Sequence, residues 1–556
     1  MTKKLLLLFA LCFCSLHTNA QGTLGPITIT HGVEIEQDSE KIVEIAGESN
    51  GKIYTLATKG KGYFVKIFNS SDMSLVLTNK IELPDLGKKE PDFEKIEVID
   101  GKVYLFGSTY DRKEKKANLV GLEISEEGVL SGNNTILFET TVTKKSEKGQ
   151  FYFKKSPNKN QLLVLHAALF EKEDAVQYEV KLFDATLGEI TSSIEKVAFK
   201  DRKDLEFSIT DLDVNNAGDI ILDVNESYRD KKAKQNIEKF ELHLFKKANS
   251  YAKEIVKINF TDSEVINCEI LANNKGKVQL VGFYSDVRKN GKPNKDLKGV
   301  YAVTVDVASN AVEQLKFNPF DLATKIKLLG KRRAENGKDV KPLYVSHSLI
   351  EKQDGGLILL SEYQLVTVGN PSKLGVVALT PIMHVNNEII VTSLNPDGSV
   401  AWSNVIAKKQ KAAFTVVSLG FYAFAGNSNF TVSGGISVPI GVLGKGPEYL
   451  SAMPIYENEK LTVVFNDNVK NIGVTDIEEV KNLGSYNKAV PTAFVFDKEG
   501  KITRIDQEDA TEDQLVLRPR VYYRTSPSEY IIYSSRKSED KLGRMSVGKP
   551  SGQSGQ

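Results

Sequence analysis

Apolar side chains recur at every second position in short runs, and Gly, Asn and Asp separate one run from the next. That pattern predicts half-buried β-strands joined by tight turns, and stretches with the rhythm of amphipathic helices are almost absent. On a longer scale the runs form a unit: strand, tight turn, apolar strand, polar loop, strand, turn, strand. The first turn reads SNGKIYTL from Ser49, IDGKVYLF from Ile99, PNKNQLLVL from Pro157, NNAGDIIL from Asn215, NNKGKVQLV from Asn273 and KQDGGLILL from Lys352. Weaker copies are YENEKLTVVF from Tyr456 and TSPSEYIIY from Thr525. Asn, Asp and Gly recur there because hairpin turns require positive φ, which these residues tolerate.

The unit recurs about eight times at a spacing of about 50–60 residues, with two longer copies after Gly356. Four antiparallel strands per unit predict an all-β fold, a β-propeller of eight blades, with seven as the fallback count. Tandem β-sandwiches are the alternative, but the units lack the Cys and Trp landmarks of immunoglobulin domains. The last unit is incomplete. Residues 515–547 supply roughly three strands, whereas GPITITHGVEI near the other end is a strand without a unit of its own. Joining the two closes the ring and leaves no edge strand exposed. On this reading residues 21–547 are one propeller domain, with apolar insertions at 364–385 and 414–453, and 548–556 form a disordered tail.

Residues 1–20 have the form of a secretory signal peptide: Lys3 and Lys4, an apolar stretch over 5–16, then Thr18-Asn19-Ala20 before Gln21. The apolar stretch is shorter than a membrane-spanning helix requires. Cys12 and Cys14 follow leucines, as a lipoprotein signal would have it, but Leu11 and Phe13 are bulkier than lipid attachment favours. Export to the periplasm or cell surface is the expectation, with no transmembrane segment in the mature chain. Cleavage would lower the formal net charge from +1 to about −1. A balanced charge argues against nucleic acid as a partner. Cys268 would then be the one cysteine left, unable to form an internal disulfide and placed in the strand-like INCEIL as a small buried hydrophobe.

Three stretches repeat the loop between the second and third strands with Tyr near Asp at its start. They place Tyr110 and Asp111, Tyr228 and Asp230, and Tyr284 and Asp286 on one rim, with Tyr363 beside Glu362, and Asn466-Asp467, at matching positions. Such a rim could be a recognition surface, with Tyr supplying flat contact area and Asp polarity. Equally, Tyr ends a strand well and Asp starts a turn. Arg518, Arg520 and Arg524 fall on one side of a strand by period two and would stand near the central channel of the closing blade. There they could hold a carboxylate or phosphate, or pair with inner-strand acids such as Glu97, Asp211, Asp213 or Glu269.

Catalytic signatures are missing: no HExxH, GxSxG, phosphate loop or CxxC occurs. The five histidines beyond residue 20 are dispersed, so no metal site and no cofactor are expected. DLDVNNAG from Asp211 begins like a calcium loop but lacks Gly at its sixth position and Glu at its twelfth, and reads as a hairpin.

NNEIIVTSLNPDGSVAWSNVIAKKQ (386–410), KLTVVFNDNVKN (460–471) and VLRPRVYYRTSPSEYIIYSSRKSEDKLGRMSV (516–547) carry Asn-Pro-Asp-Gly-x-x-x-Trp, Asn-Asp-x-x-Lys-Asn and Arg-Pro-Arg motifs. Over residues 386–547 the chain resembles the C-terminal third of uncharacterised secreted β-propeller-type proteins of Gram-negative bacteria. Met383-His384 departs from the Tyr-rich run of that family, and the resemblance implies no activity. Two functions follow as expectations. One is a non-enzymatic binding or scaffold protein using one face of the ring, with an envelope or extracellular protein or a glycan as partner. The other is a hydrolase or lyase with its site at the central channel.

Overall fold

The computed structural model describes residues 21–35, 40–60, 62–84, 91–142, 145–170, 175–198, 202–234, 236–273, 275–287, 294–369, 372–374, 377–416, 430–432, 447–486, 489–507, 515–536 and 539–548. They form eight sheets, antiparallel within each blade. Blades 1 to 7 are four-stranded meanders over 41–81, 92–141, 150–198, 202–258, 263–319, 344–406 and 453–506. Blade 8 takes three strands from 516–547 and its fourth, Ile27–His31, from the other end of the chain. The register there is Ile27↔Val547 to His31↔Gly543, and Gln21–Leu24 adds a fifth strand outside it. The protein is therefore an eight-bladed β-propeller closed by its N-terminal strand.

Eight apolar clusters hold the ring, one at each seam between neighbouring blades. The two-residue period explains why each blade serves two seams. On the second strand of blade 2, Val103 and Leu105 pack toward blade 1, while Tyr104 and Phe106 pack toward blade 3. Second strands are buried on both faces and so read as continuous apolar runs, Lys102–Asp111 among them. Outer strands such as Glu189–Ala198 keep the clean alternation of a half-exposed surface. The Asn50-Gly51 and Asp100-Gly101 turns have φ of 50° and 71°, and 44° and 83°, as the hairpin reading requires. Asn215 to Asp219 is likewise a hairpin turn. Cys268 is 1% exposed in the seam between blades 4 and 5.

Two helices, Leu322–Leu329 and Lys331–Glu335, link blades 5 and 6, where the sequence pattern shows no helical rhythm. Asp321 caps the first by accepting from the Thr324 amide at 2.6 Å, and Leu328 and Leu329 pack onto the seam below. The pair is too short to show a helical period across such a strand-rich chain.

The channel is narrowed at both faces. At the face of the first hairpin turns, Lys159 of blade 3 donates to Tyr523 Oη of blade 8 at 2.8 Å, and its ammonium lies 4.9 Å from the ring centre. At the face of the polar loops, Phe430–Val432 pairs in parallel with Phe207 to Ile209 on the inner strand of blade 4. A strand added to that edge lies inside the channel. The chain thus leaves blade 6 after Val416, reaches blade 4, and returns at Pro447 to start blade 7.

Candidate functional site at the junction of blades 6 to 8

Blade 6 overshoots the common plan. Its second and third strands, Leu357–Val368 and Val377–Leu394, run on past the blade edge, and Gln410–Val416 pairs with the overshoot. Beneath it lies a buried ionic knot. Lys408 and Glu362 meet at 2.8 Å with neither side chain exposed. The Lys408 ammonium also donates to the Asn386 carbonyl and to Gln410 Oε1, both at 3.0 Å. Glu362 Oε2 accepts from Asn386 Nδ2 at 2.6 Å, Gln364 Nε2 at 2.8 Å and Ser451 Oγ at 3.1 Å. Burial alone would raise Glu362, but the Lys408 ammonium beside it overrides this and holds the carboxyl down at about 2.

The knot reaches into blades 7 and 8. Gln410 Nε2 donates to the Asn466 carbonyl at 2.8 Å, and Asn466 Nδ2 donates to the Tyr449 and Leu517 carbonyls at 2.9 and 2.8 Å. Three departures from regular backbone converge here. His347 is the extra residue of a bulge on the inner strand of blade 6. Ser451 has φ of +80°, and residues 518–521 form a wider bulge on the inner strand of blade 8. Bulges and strained residues are where folds re-aim side chains. His347 Nε2 sits 3.0 Å from Ser451 Oγ. Burial, against a partial offset from Glu362, pulls His347 below the usual histidine range, and His384 falls to about 4 through burial and the Arg520 charge.

The three candidate arginines occupy three different environments, because the bulge interrupts the two-residue period. Arg518 is 2% exposed, donates to Ser535 Oγ at 2.7 Å and Tyr449 Oη at 3.3 Å, and lies over Tyr533 at 4.4 Å. Arg520 is half-buried, facing the charges of Glu362 and Glu448 and the phenol of Tyr486. Arg524 is exposed and donates to the carbonyls of Ser526 and Pro527. Three of the four inner-strand acids pair with lysines instead. Glu97 meets Lys95 and Lys155, and Asp211 and Asp213 meet Lys154. Asp211 and Asp213 also accept from the Ile270 and Ala272 amides, tying blade 4 to blade 5.

Around the rim the aspartates start turns. Asp111 accepts from the Lys113 and Glu114 amides, Asp230 from those of Lys232 and Ala233, and Asp286 pairs with Lys298. The tyrosine rings lean into the seams. Tyr110 packs on the small cluster between blades 2 and 3, and Tyr228 lies under Lys239. Tyr284 packs edge-on against Phe317 at 4.9 Å, and Tyr363 against Tyr344 at 5.7 Å.

The sequence singled out Glu362 only as a neighbour of Tyr363. Lys408, Gln410, Ser451, Asn386 and Tyr486 carried no signal, since Lys408 in AKKQK reads as surface charge. Among the described residues no group of three or more His, Cys, Asp and Glu could hold a metal, and no helix is long and apolar enough to cross a membrane.

No family model matches the chain, and no curated protein matches its sequence. Solved structures similar to it include the Dos1 propeller, at 9% identity over 94% of this chain and 95% of that one, with a TM-score of 0.39. The β-propeller domain of the Trilobed protease from Pyrococcus furiosus is similar at 7% identity over 63% and 93%, with a TM-score of 0.31. Prolyl oligopeptidase B from Galerina marginata is similar at 8% identity over 89% and 54%, with a TM-score of 0.37. At these scores none of them bears on function, and the fold rests on the sheet topology above.

Proposed function

We propose that the protein is an exported binding or scaffold module, working in the periplasm or at the cell surface, as in the secreted Gram-negative propellers that residues 386–547 resemble. It engages another envelope or extracellular protein, or a glycan, through the ring face that carries the polar loops. One observation supports this reading above the rest. Blades 6 and 7 build that face up with an overlong hairpin and a connection that enters the channel, and a buried ionic knot fixes their base. Rigid scaffolds that present elaborated loops are the usual platform for recognition. Cross-linking on intact cells followed by mass spectrometry tests it. Cross-links to partners should concentrate on the exposed Lys411 near the overshoot rather than on the exposed Lys102 and Lys275 at the face of the first hairpin turns. An even distribution overturns the reading.

A second reading, hydrolysis at the channel mouth, rests on Ser451 alone. Its hydroxyl lies 3.0 Å from His347 Nε2 on a residue at φ +80°. Glu362 bonds to the hydroxyl rather than to the imidazole, and Ser451 is 4% exposed, which places this second. A fluorophosphonate probe that labels the protein, with labelling abolished in Ser451→Ala, would move it first.

A further inference from the structure

We propose that Arg520 and Tyr486 form a receptor for a carboxylate at the channel mouth. The site deepens the binding-module reading and rests on it for its place on the working face. Arg520 stands in the wide bulge of the closing blade, where pairing passes from Leu517↔Ser534 directly to Tyr522↔Ile532. The bulge frees its side chain from the alternation of the strand. Among the described residues nothing accepts a hydrogen bond from its guanidinium. Its nearest carboxylate by charge, Glu362, is already committed to Lys408, Asn386, Gln364 and Ser451. An unused planar fork of donors suits a carboxylate held by two parallel bonds.

Tyr486 supplies the second observation. It is 8% exposed, and among the described residues its buried hydroxyl has no hydrogen-bond partner. The ring is fixed by stacking on Tyr449 at 4.5 Å, so the hydroxyl cannot swing away to solvent. Tyr486 packs in one cluster with Tyr449 and with Val516, which lies on the same inner strand as Arg520, and Arg520, Tyr486 and Glu448 are within electrostatic reach of one another. A buried phenol without an acceptor costs free energy that an arriving acceptor would recover. The ligand class follows from the surrounding charge. One guanidinium with Glu362 and Glu448 close by tolerates a single negative charge and repels a phosphate dianion. His347 and His384, both held low beside Arg520, remain neutral and add no further positive charge.

Saturation-transfer NMR on the full chain tests this with N-acetylglycine and galacturonate as carboxylate probes, and N-acetylglycinamide and galactose as their neutral counterparts. At least one carboxylate should receive saturation and neither neutral compound should. The signal should fall at least fivefold in Arg520→Gln and in Tyr486→Phe. Arg520→Lys, which keeps the charge and loses the fork, should also lose it and serves where Arg520→Gln fails to fold. A response to N-acetylglycine alone assigns a peptide terminus, and one to galacturonate alone an acidic sugar. No response in the unaltered protein, equal response to the neutral compounds, competition by inorganic phosphate as effective as by acetate, or undiminished signal in the variants overturns the receptor. Cross-links that still gather on the overshoot face would leave the binding-module reading standing in that event.

Discussion

Lys408 donates to two acceptors inside the fold and pairs with Glu362, whose Oε2 accepts three hydrogen bonds. Removing one partner strands a buried charge, at a cost of about 3–5 kcal/mol, whereas removing both leaves none. Glu362→Gln or Lys408→Met alone should therefore lower Tm sharply, and the double variant should melt above either single one, as calorimetry would show. At Arg520 a charge reversal adds an acid facing Glu362 and Glu448. Arg520→Glu should melt well below the parent, while Lys115→Glu, in an exposed turn, should stay within about 0.5 kcal/mol of it. Equal melting points for these two would contradict the placement of Arg520. Little of this was legible beforehand. Period two places alternate residues on one face only while the strand stays regular, and the bulges at His347 and 518–521 break that rule where the polar residues meet. Turn residues were readable because Asn, Asp and Gly answer to local backbone geometry alone.

Seams between blades are where neighbouring elements trade side chains. Trp402 on blade 6 stacks on Phe496 of blade 7 at 5.5 Å and 4°, and its indole N–H donates to the Lys498 carbonyl at 3.0 Å. Gly500, at φ +81°, lies against the indole, so a Cβ there would be driven into the ring. Gly500→Ala should cost about 2 kcal/mol from strain and overlap together, read as a lower denaturation midpoint. Between blades 4 and 5, Glu238 and Glu264 face one another. Burial and then Glu264 raise Glu238 to about 8, and burial raises Glu264 to about 7 despite Lys295. Both bind protons in the folded state that an unfolded glutamate would release near 4.5. This seam's contribution to stability is thus present in full below about pH 4.5 and is lost as pH rises from there through 7–8. Glu264→Gln should flatten the fall in Tm between about pH 5 and 8. Strands and seams were largely visible in the sequence, because each second strand needs apolar residues on both faces. The helix pair 322–335 was not, since a two-turn helix leaves too few positions to reveal its period.

The ring as a whole depends on Ile27–His31 lying against Gly543 to Val547. Deleting either segment opens the same seam, so each deletion should lower Tm by a similar amount and the double deletion by little more. Additive losses in calorimetry would show that the two strands do not share one sheet. Eight repeated turn signals and an unfinished last unit made this closure readable, whereas the inward path of 430–432 was not, because three residues on a foreign edge leave no repeat to detect. The closing pair also fixes when the molecule can become whole. The two partners are separated by more than 500 residues of chain, and bringing such distant points together costs on the order of 5 kcal/mol before any contact rewards it. Until then blades 1 and 7 each present an unfinished apolar flank to the surroundings, so the nascent chain spends its most vulnerable interval with most of its sheets already made.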